Sequence, residues 1–420
     1  MAKWKIYTPE GVQDILFEDC YIKRNIEQKL RNLFKAHGYL EVETPNLEFY
    51  DVFADESDIA PQETMFKFFD QRGRILVLRP DITVPIARLA ATKYRNSQYP
   101  IRFSYIGNAY RYNELGGGKQ KEFTQAGVEI IGAASAEADA EIIATAINSV
   151  KALGIENFQL DIGQVEFFKG LMEEAELSES DIEQIRVLID KKDYLGIEEI
   201  IKSHNISKEL QHTILSLPGL FGSKDIIEKA EKLTANKRSK DALENLRKVY
   251  EILEEYSLDK YVSIDLGMVR SLNYYTGIIF RGFTYGVGFP ILSGGRYDNL
   301  VESFGMKSPA TGFSLGINLI MMALDRQKID CGRPSVDSLV CYTDKGRKTA
   351  FEISAELRKQ GLNIEIDITK DGIKNSAEYA KNKGIGGIIN IIDKNNIELH
   401  DLKDGQITRT SMDELIKRSK

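Results

Sequence analysis

The 420-residue sequence predicts an α+β fold: a mainly antiparallel sheet flanked by helices, a helical insertion, and a small α/β domain at the C-terminal end. Three observations carry that expectation. Residues 101–132, IRFSYIGNAYRYNELGGGKQKEFTQAGVEIIG, hold two strand-like runs around a loop tipped by Gly116, Gly117 and Gly118. That is the pattern of a long antiparallel hairpin. From 165 to about 256 the texture becomes charged and helical, with Ile182, Ile185, Leu188 and Ile189 on one face. Beyond the linker Gly332-Arg333-Pro334, strands and helices alternate as βαβαβ, which argues a small domain with a largely parallel sheet. The expected divisions are a core of 1–164 with 257–330, an insertion at 165–256, and a C-terminal domain at 336–420.

In chain order, a Pro/Gly turn at 8–16 precedes an amphipathic helix with Ile22, Ile26, Leu30, Leu33 and Phe34 at helical spacing, and Gly38 caps its end. Residues 39–47, YLEVETPNL, read as a strand interrupted by Pro45, which suits an edge because proline removes a ladder donor. Residues 66–79 read as a hairpin turned at Arg72-Gly73, and a helix with Ile86, Leu89 and Ala90 follows. Asp81 and Thr83 favour the start of that helix and could serve as caps alone. Residues 136–153 form a helix with a small apolar face, and 159–162 a short strand. Strand character returns at 262–266, 274–283 and 291–297. A helix carrying Leu315, Ile317, Leu319, Ile320 and Met321 is expected after Gly312.

A net charge of −7 gives no global attraction to nucleic acid. Cys20, Cys331 and Cys341 lack any CxxC spacing and fit reduced thiols in a cytoplasmic protein. The four histidines share no metal-ligand spacing, so no metal is expected, and no apolar run is long enough to predict a membrane span. No glycine-rich phosphate loop follows the first strand of the C-terminal domain, so nucleotide binding is not expected there.

Three polar clusters fall on strands or strand ends. They are Asp81 with Thr83; Arg111, Gln125 and Glu129 on the long hairpin; and Arg270 with Tyr274 and Tyr275, near Arg296 and Tyr297. Carboxylates and amide oxygens suit an α-ammonium group, an arginine suits a carboxylate, and tyrosines supply an apolar wall with a polar tip. Together they fit a pocket for a small zwitterion, although each cluster alone also suits ordinary strand ion pairing.

Six ordered blocks, GVQDIL, YLEVETPNLE, LRPDIT, YRYNELGGGKQKEFTQAGVEIIG, VRSLNYYTG and SGGRYDNLVESFG, resemble histidyl-tRNA synthetase over nearly the whole chain. The resemblance implies a class II synthetase-like sheet and a histidine pocket. Asp81 takes the place of a family glutamate near the α-ammonium group, while Thr83, Gln125, Glu129, Arg270, Tyr275 and Tyr297 match pocket positions. Ser271 and Asn273 depart from the family's glycine and aspartate. Larger departures fall on the ATP side. The family's arginine-x-glutamate-arginine is here Arg111, Tyr112, Asn113, Glu114, and Lys119 and Lys121 replace arginines. The family's Gly-Ile-Glu-Arg is Gly316, Ile317, Asn318, Leu319. Each lost clamp is worth roughly a few kcal/mol of barrier, which predicts no useful adenylation.

A synthetase-like fold with its amino-acid side kept and its ATP side lost is similar to the regulatory subunits of ATP phosphoribosyltransferase. LRPDIT, where the synthetases have LRPEGT, is also similar to that family. The resemblance implies a subunit with no catalysis and no cofactor of its own. It would partner the short-form catalytic subunit in the first step of histidine biosynthesis, with histidine as feedback effector, as a homodimer within a hetero-oligomer, without tRNA or membrane binding. A divergent histidyl-tRNA synthetase is the alternative reading.

Overall fold

Ile26, Leu30 and Phe34, four residues apart, place one buried stripe on the first helix, and the edge of the Phe34 ring meets Phe313 on the sheet at a centroid distance of 6.3 Å. Each such side chain contributes roughly 1.5–3 kcal/mol by leaving water. The structure, a computed structural model, describes residues 4–54, 61–112, 120–269, 274–369 and 372–418. It separates into two compact units, Met1–Cys331 and Gly332–Lys420.

The larger unit begins with α1 (Phe17–Ala36), β1 (Leu40–Glu41), β2 (Leu47–Phe49), β3 (Lys67–Phe69), β4 (Ile75–Leu78) and α2 (Thr83–Lys93). The long hairpin follows as β5 (Ile101–Tyr110) and β6 (Glu122–Ile131), then α3 (Ala136–Ala152) and β7 (Phe158–Gln164). A helical layer comes next: α4 (Val165–Glu174), α5 (Glu179–Asp190), α6 (Tyr194–Lys202), α7 (Lys208–Ser216), the short β8 (Phe221–Gly222), α8 (Asp225–Leu233) and α9 (Lys237–Glu255). The unit finishes with β9 (Val262–Asp265), β10 (Ile278–Thr284), β11 (Leu292–Arg296), α10 (Leu300–Ser303), β12 (Ala310–Gly316) and α11 (Ile317–Arg326).

Among the described residues the main sheet has nine strands in the order β1-β5-β6-β12-β11-β10-β7-β9-β8. The pairs β1–β5 and β7–β9 are parallel, and the remaining neighbours are antiparallel. The hairpin register runs from Ile101 opposite Ile131 to Tyr110 opposite Glu122. Strands β2, β4 and β3 form a separate three-stranded sheet.

Pro45 lies where the chain passes from the main sheet to this smaller one, so residues 39–47 are two strands and not one. A buried arginine closes the gap. Arg79 donates to the carbonyls of Thr44 at 2.6 Å and Asn108 at 2.8 Å, and to Thr44 Oγ1 at 2.9 Å. The carbonyl of Thr44 at the proline bend and that of Asn108 on β5 thereby share one donor group.

Two expectations need correction. Residues 310–316 form β12 at the heart of the sheet, between β6 and β11, and the helix starts only at Ile317. Leu315 is thus a strand residue; its four-residue spacing to Leu319 matches the helical period that Ile317, Ile320 and Met321 carry. In the second unit the order is β13 (Ser338–Tyr342), α12 (Arg347–Lys359), β14 (Ile364–Ile366), α13 (Ile373–Asn382), β15 (Gly387–Ile391), β16 (Ile397–Asp401), β17 (Ile407–Thr410) and α14 (Met412–Arg418). Strand β13 pairs parallel with β14 and β15, but β15–β16 and β16–β17 are antiparallel, so this sheet is mixed. Alternate residues of β13 enter separate cores: Val340 packs with Ile353 and Leu357, while Leu339 and Cys341 pack with Ala380 and Ile388.

Gly107 on β5 makes room for Arg79. A Cβ at that position would lie 2.4 Å from Arg79 Nη2. We expect Gly107→Ala to lower unfolding free energy by about 1–3 kcal/mol, measured by urea denaturation; an unchanged midpoint would show that the Arg79 clasp gives way freely.

Candidate functional site

Strands β6, β12 and β11, with the start of α2, converge on one cavity of about 250 Å³. It is lined by Asp81, Thr83, Arg111, Gln125, Glu129, Tyr274, Tyr275 and Tyr297, together with Ser293, Gly294, Gly312, Phe313 and Ser314. Eight of the ten side chains in the three sequence clusters therefore meet. Arg296 turns away to Asp139 of α3 at 2.8 Å, and Arg270 lies outside the described residues, as do Ser271, Asn273, Asn113, Glu114, Lys119 and the three glycines of the hairpin tip.

Asp81 does cap its helix: one carboxylate oxygen accepts from the backbone N–H of Thr83 at 2.7 Å and of Val84 at 3.3 Å. Its other oxygen lies 3.8 Å from Arg111 Nη2. Capping and cavity lining are two uses of one carboxylate. Arg111 is itself held by donating Nε–H to the carbonyl of Pro80 at 2.8 Å.

Glu129 sits at the bottom of the arrangement, 1% exposed. Its carboxyl accepts hydrogen bonds from the hydroxyls of Thr83 at 2.9 Å, Tyr105 at 3.3 Å and Tyr297. Burial pushes its pKa up from 4.5 to about 8, against the pull of the Tyr297 and Thr83 hydroxyls, and the charge of Asp81 adds to the rise. Tyr274 stacks on Tyr297 with centroids 5.4 Å apart, and Tyr275 meets Tyr274 edge-on at 4.7 Å. Gln125 Oε1 is buried and accepts no hydrogen bond, an acceptor aimed into the cavity that a ligand N–H would satisfy.

The sequence reading missed the glycine floor. Gly312 faces Glu129 across the β12–β6 ladder, and a Cβ on it would stand 1.6 Å from Glu129 Oε2. Glycines within strands mark such close approaches. Gly294 and Gly312 carried that signal.

A second cavity of about 340 Å³ adjoins the first and shares Arg111, Gln125, Ser293 and Ser314 with it. Its other walls are largely apolar: Phe123, Phe289, Pro290, Ile291, Leu292 and Leu319. Asn318 also lines it, but its side chain is engaged. Oδ1 accepts from the backbone N–H of Thr124 at 2.9 Å, and Nδ2 donates to Gln120 Oε1. Lys121 turns elsewhere, with its ammonium 4.5 Å from the Tyr112 ring centroid and its backbone N–H bonded to Gly11 O at 2.8 Å.

A family model described as Histidyl-tRNA synthetase matches residues 11–320. An ATP phosphoribosyltransferase regulatory subunit of Acetivibrio thermocellus is 65% identical over 417 residues, covering 99% of this chain and 100% of the relative. The chain belongs to the ATP phosphoribosyltransferase regulatory subunit family. Within that family, the counterpart from Ruminiclostridium cellulolyticum is 58% identical over 99% of both chains. A solved structure from Bacillus halodurans, described as an ATP phosphoribosyltransferase regulatory subunit/histidyl-tRNA synthetase, is 34% identical with a TM-score of 0.84, covering 93% of this chain and all of that one. Histidyl-tRNA synthetase from Nostoc sp. PCC 7120, at 23% identity and a TM-score of 0.83, covers 99% of this chain and 100% of its own and shares the fold.

The native Glu129 carboxyl keeps its proton up to about pH 8, whereas the unfolded chain loses it near 4.5. Stability therefore falls as pH rises through that window. We expect Glu129→Gln, which keeps the hydroxyl acceptor, to remove this part of the decline. Unfolding free energies of both proteins between pH 5 and pH 8 provide the check; a constant difference between them would mean that Glu129 is ionised throughout.

Proposed function

We propose that this chain is the non-catalytic regulatory subunit of an ATP phosphoribosyltransferase. It acts with a short catalytic subunit in the first step of histidine biosynthesis, and histidine bound in the smaller cavity carries the feedback signal. The observation that supports this most directly is the contrast between the two adjoining cavities. One offers Asp81 for an ammonium group, Arg111 for a carboxylate, and Glu129 with Gln125 Oε1 for an imidazole. The other presents Leu319 and an already engaged Asn318 at the positions that match the synthetase glutamate and arginine.

Glu129 suits an imidazole for a further reason. A protonated carboxyl that titrates near neutral pH can pass its proton to a neutral imidazole, giving a carboxylate–imidazolium pair inside the ring of hydroxyls. A triphosphate, by contrast, needs several cations, and Arg111 alone reaches the border of the second cavity among its lining residues. Regulation further requires that histidine bind the active and inhibited assemblies with different affinity. The expected state is a cytoplasmic homodimer within a hetero-oligomer that does not bind tRNA. Among the described residues, no helix is long and apolar enough to cross a membrane.

Co-expression with the short catalytic subunit is expected to give a stable complex with phosphoribosyltransferase activity that histidine inhibits. Calorimetric titration of that complex is expected to show histidine binding, weakened about tenfold or more in Glu129→Gln by loss of a charge-assisted hydrogen bond. Histidine-dependent ATP–pyrophosphate exchange at a synthetase-like rate would instead establish the divergent synthetase.

A further inference from the structure

Residues 274–277 carry two of the tyrosines that wall the smaller cavity and lead directly into β10. Their backbone is fastened from two sides. From β11 and the turn after it, Arg296 O accepts from Thr276 N–H at 2.8 Å and Asp298 N–H donates to Thr276 Oγ1 at 2.9 Å. From α4, Val165 N–H donates to Gly277 O at 3.1 Å and Lys169 Nζ donates to Tyr275 O at 3.1 Å. No side chain of α4 lines the cavity, so this helix reaches it only through the backbone it holds.

Lys169 is the end of a chain of charges. Glu166 Oε1 lies 3.1 Å from its ammonium. Glu166 Oε2 accepts from Arg238 of α9 at 2.7 Å, and Arg238 Nη1 bonds Glu173 at 2.9 Å. Arg238, Glu166 and Glu173 line a cleft of about 820 Å³ that also includes Thr276 and Gly277. Part-exposed ion pairs of this kind add little to stability. A charge-assisted bond to a backbone carbonyl that no strand neighbour satisfies is a different matter, because it fixes where the residue sits.

We infer that Lys169 is a positioning residue for the amino-acid cavity, holding Tyr274 and Tyr275 in place and coupling the cavity to the helical layer through Glu166 and Arg238. The inference deepens the histidine-binding reading and rests on it for its ligand. Coupling is reciprocal: whatever disturbs the Arg238–Glu166 pair from the cleft alters the cavity's affinity, and occupancy of the cavity stiffens the pair.

The test uses the full chain in complex with the short catalytic subunit, carrying Lys169→Met, Lys169→Arg, Arg238→Gln or the Lys169→Met/Arg238→Gln double change. Calorimetric titration with histidine is expected to show Lys169→Met weakened by about two- to thirtyfold. Lys169→Arg should stay close to wild type. Arg238→Gln should weaken binding on its own but add nothing once Lys169 is methionine. A readout that needs no ligand accompanies it: amide hydrogen exchange over 274–277 is expected to quicken in Lys169→Met while β5 and β6 keep their protection. Unchanged exchange over 274–277 overturns the positioning role. Faster exchange with unaltered histidine affinity overturns the coupling. If wild type binds no histidine, the ligand reading fails, and exchange alone decides the role of Lys169.

Discussion

Four elements of the larger unit close on the carboxyl of Glu129. It lies on β6; Thr83 reaches it from the first turn of α2, Tyr105 from β5, and Tyr297 from just beyond β11. The carboxyl stays inside because those hydroxyls give back part of the hydrogen bonding that water supplied. The strand opposite must in turn be bare, and Gly312 provides that space. Placing an acid there constrains the sheet, since a hydroxyl removed from any of the three elements leaves a buried oxygen short of a donor.

Buried arginines keep those elements in register at a distance from the cavity. Arg79 ties the Pro45 bend to β5. Arg296 grips Asp139 of α3 through two bonds, at 2.8 and 3.1 Å, and also bonds the carbonyl of Ala133 at 3.0 Å. Because the Asp139 side chain is only 2% exposed, loss of Arg296 would leave its carboxylate buried without its cation, whereas Arg296 keeps a second acid in Asp298 at 3.1 Å. Tyr297, whose hydroxyl reaches Glu129, follows Arg296 directly in the chain.

Local pattern carried much of this. The long hairpin, the hairpin turned at Arg72-Gly73 and the stripe on α1 have periods that short windows reveal, and each is present. The stretch just after Gly312 reads as helix because Leu315 lies four residues before Leu319 and so joins the helical spacing of Ile317, Ile320 and Met321, although the chain is still strand to Gly316. The strands β16 and β17 follow the last element that the sequence pattern predicts, and β17 is four residues long and mostly exposed. At the cavity, charged and aromatic side chains in strands were a legible signal, since a core does not need them. Gly294 and Gly312 signal a close approach within strands, but that the approach is to Glu129 is set by pairing between strands far apart in sequence. The Lys169 contact to Tyr275 O is not legible at all, because it uses a backbone atom that every residue has.

Asn318 ties one wall of the second cavity into the fold. Its amide now stitches the base of the hairpin to α11, with one end on Thr124 and the other on Gln120. An acid at that position would still accept from Thr124 but would lose the N–H that Asn318 donates to Gln120. An arginine returned at Leu319 would enter a wall of Phe123, Phe289 and Leu292 that now shuns charge. Asn318 thus works as a structural pin between the hairpin and α11, and the apolar wall beside it offers a charged side chain no partner.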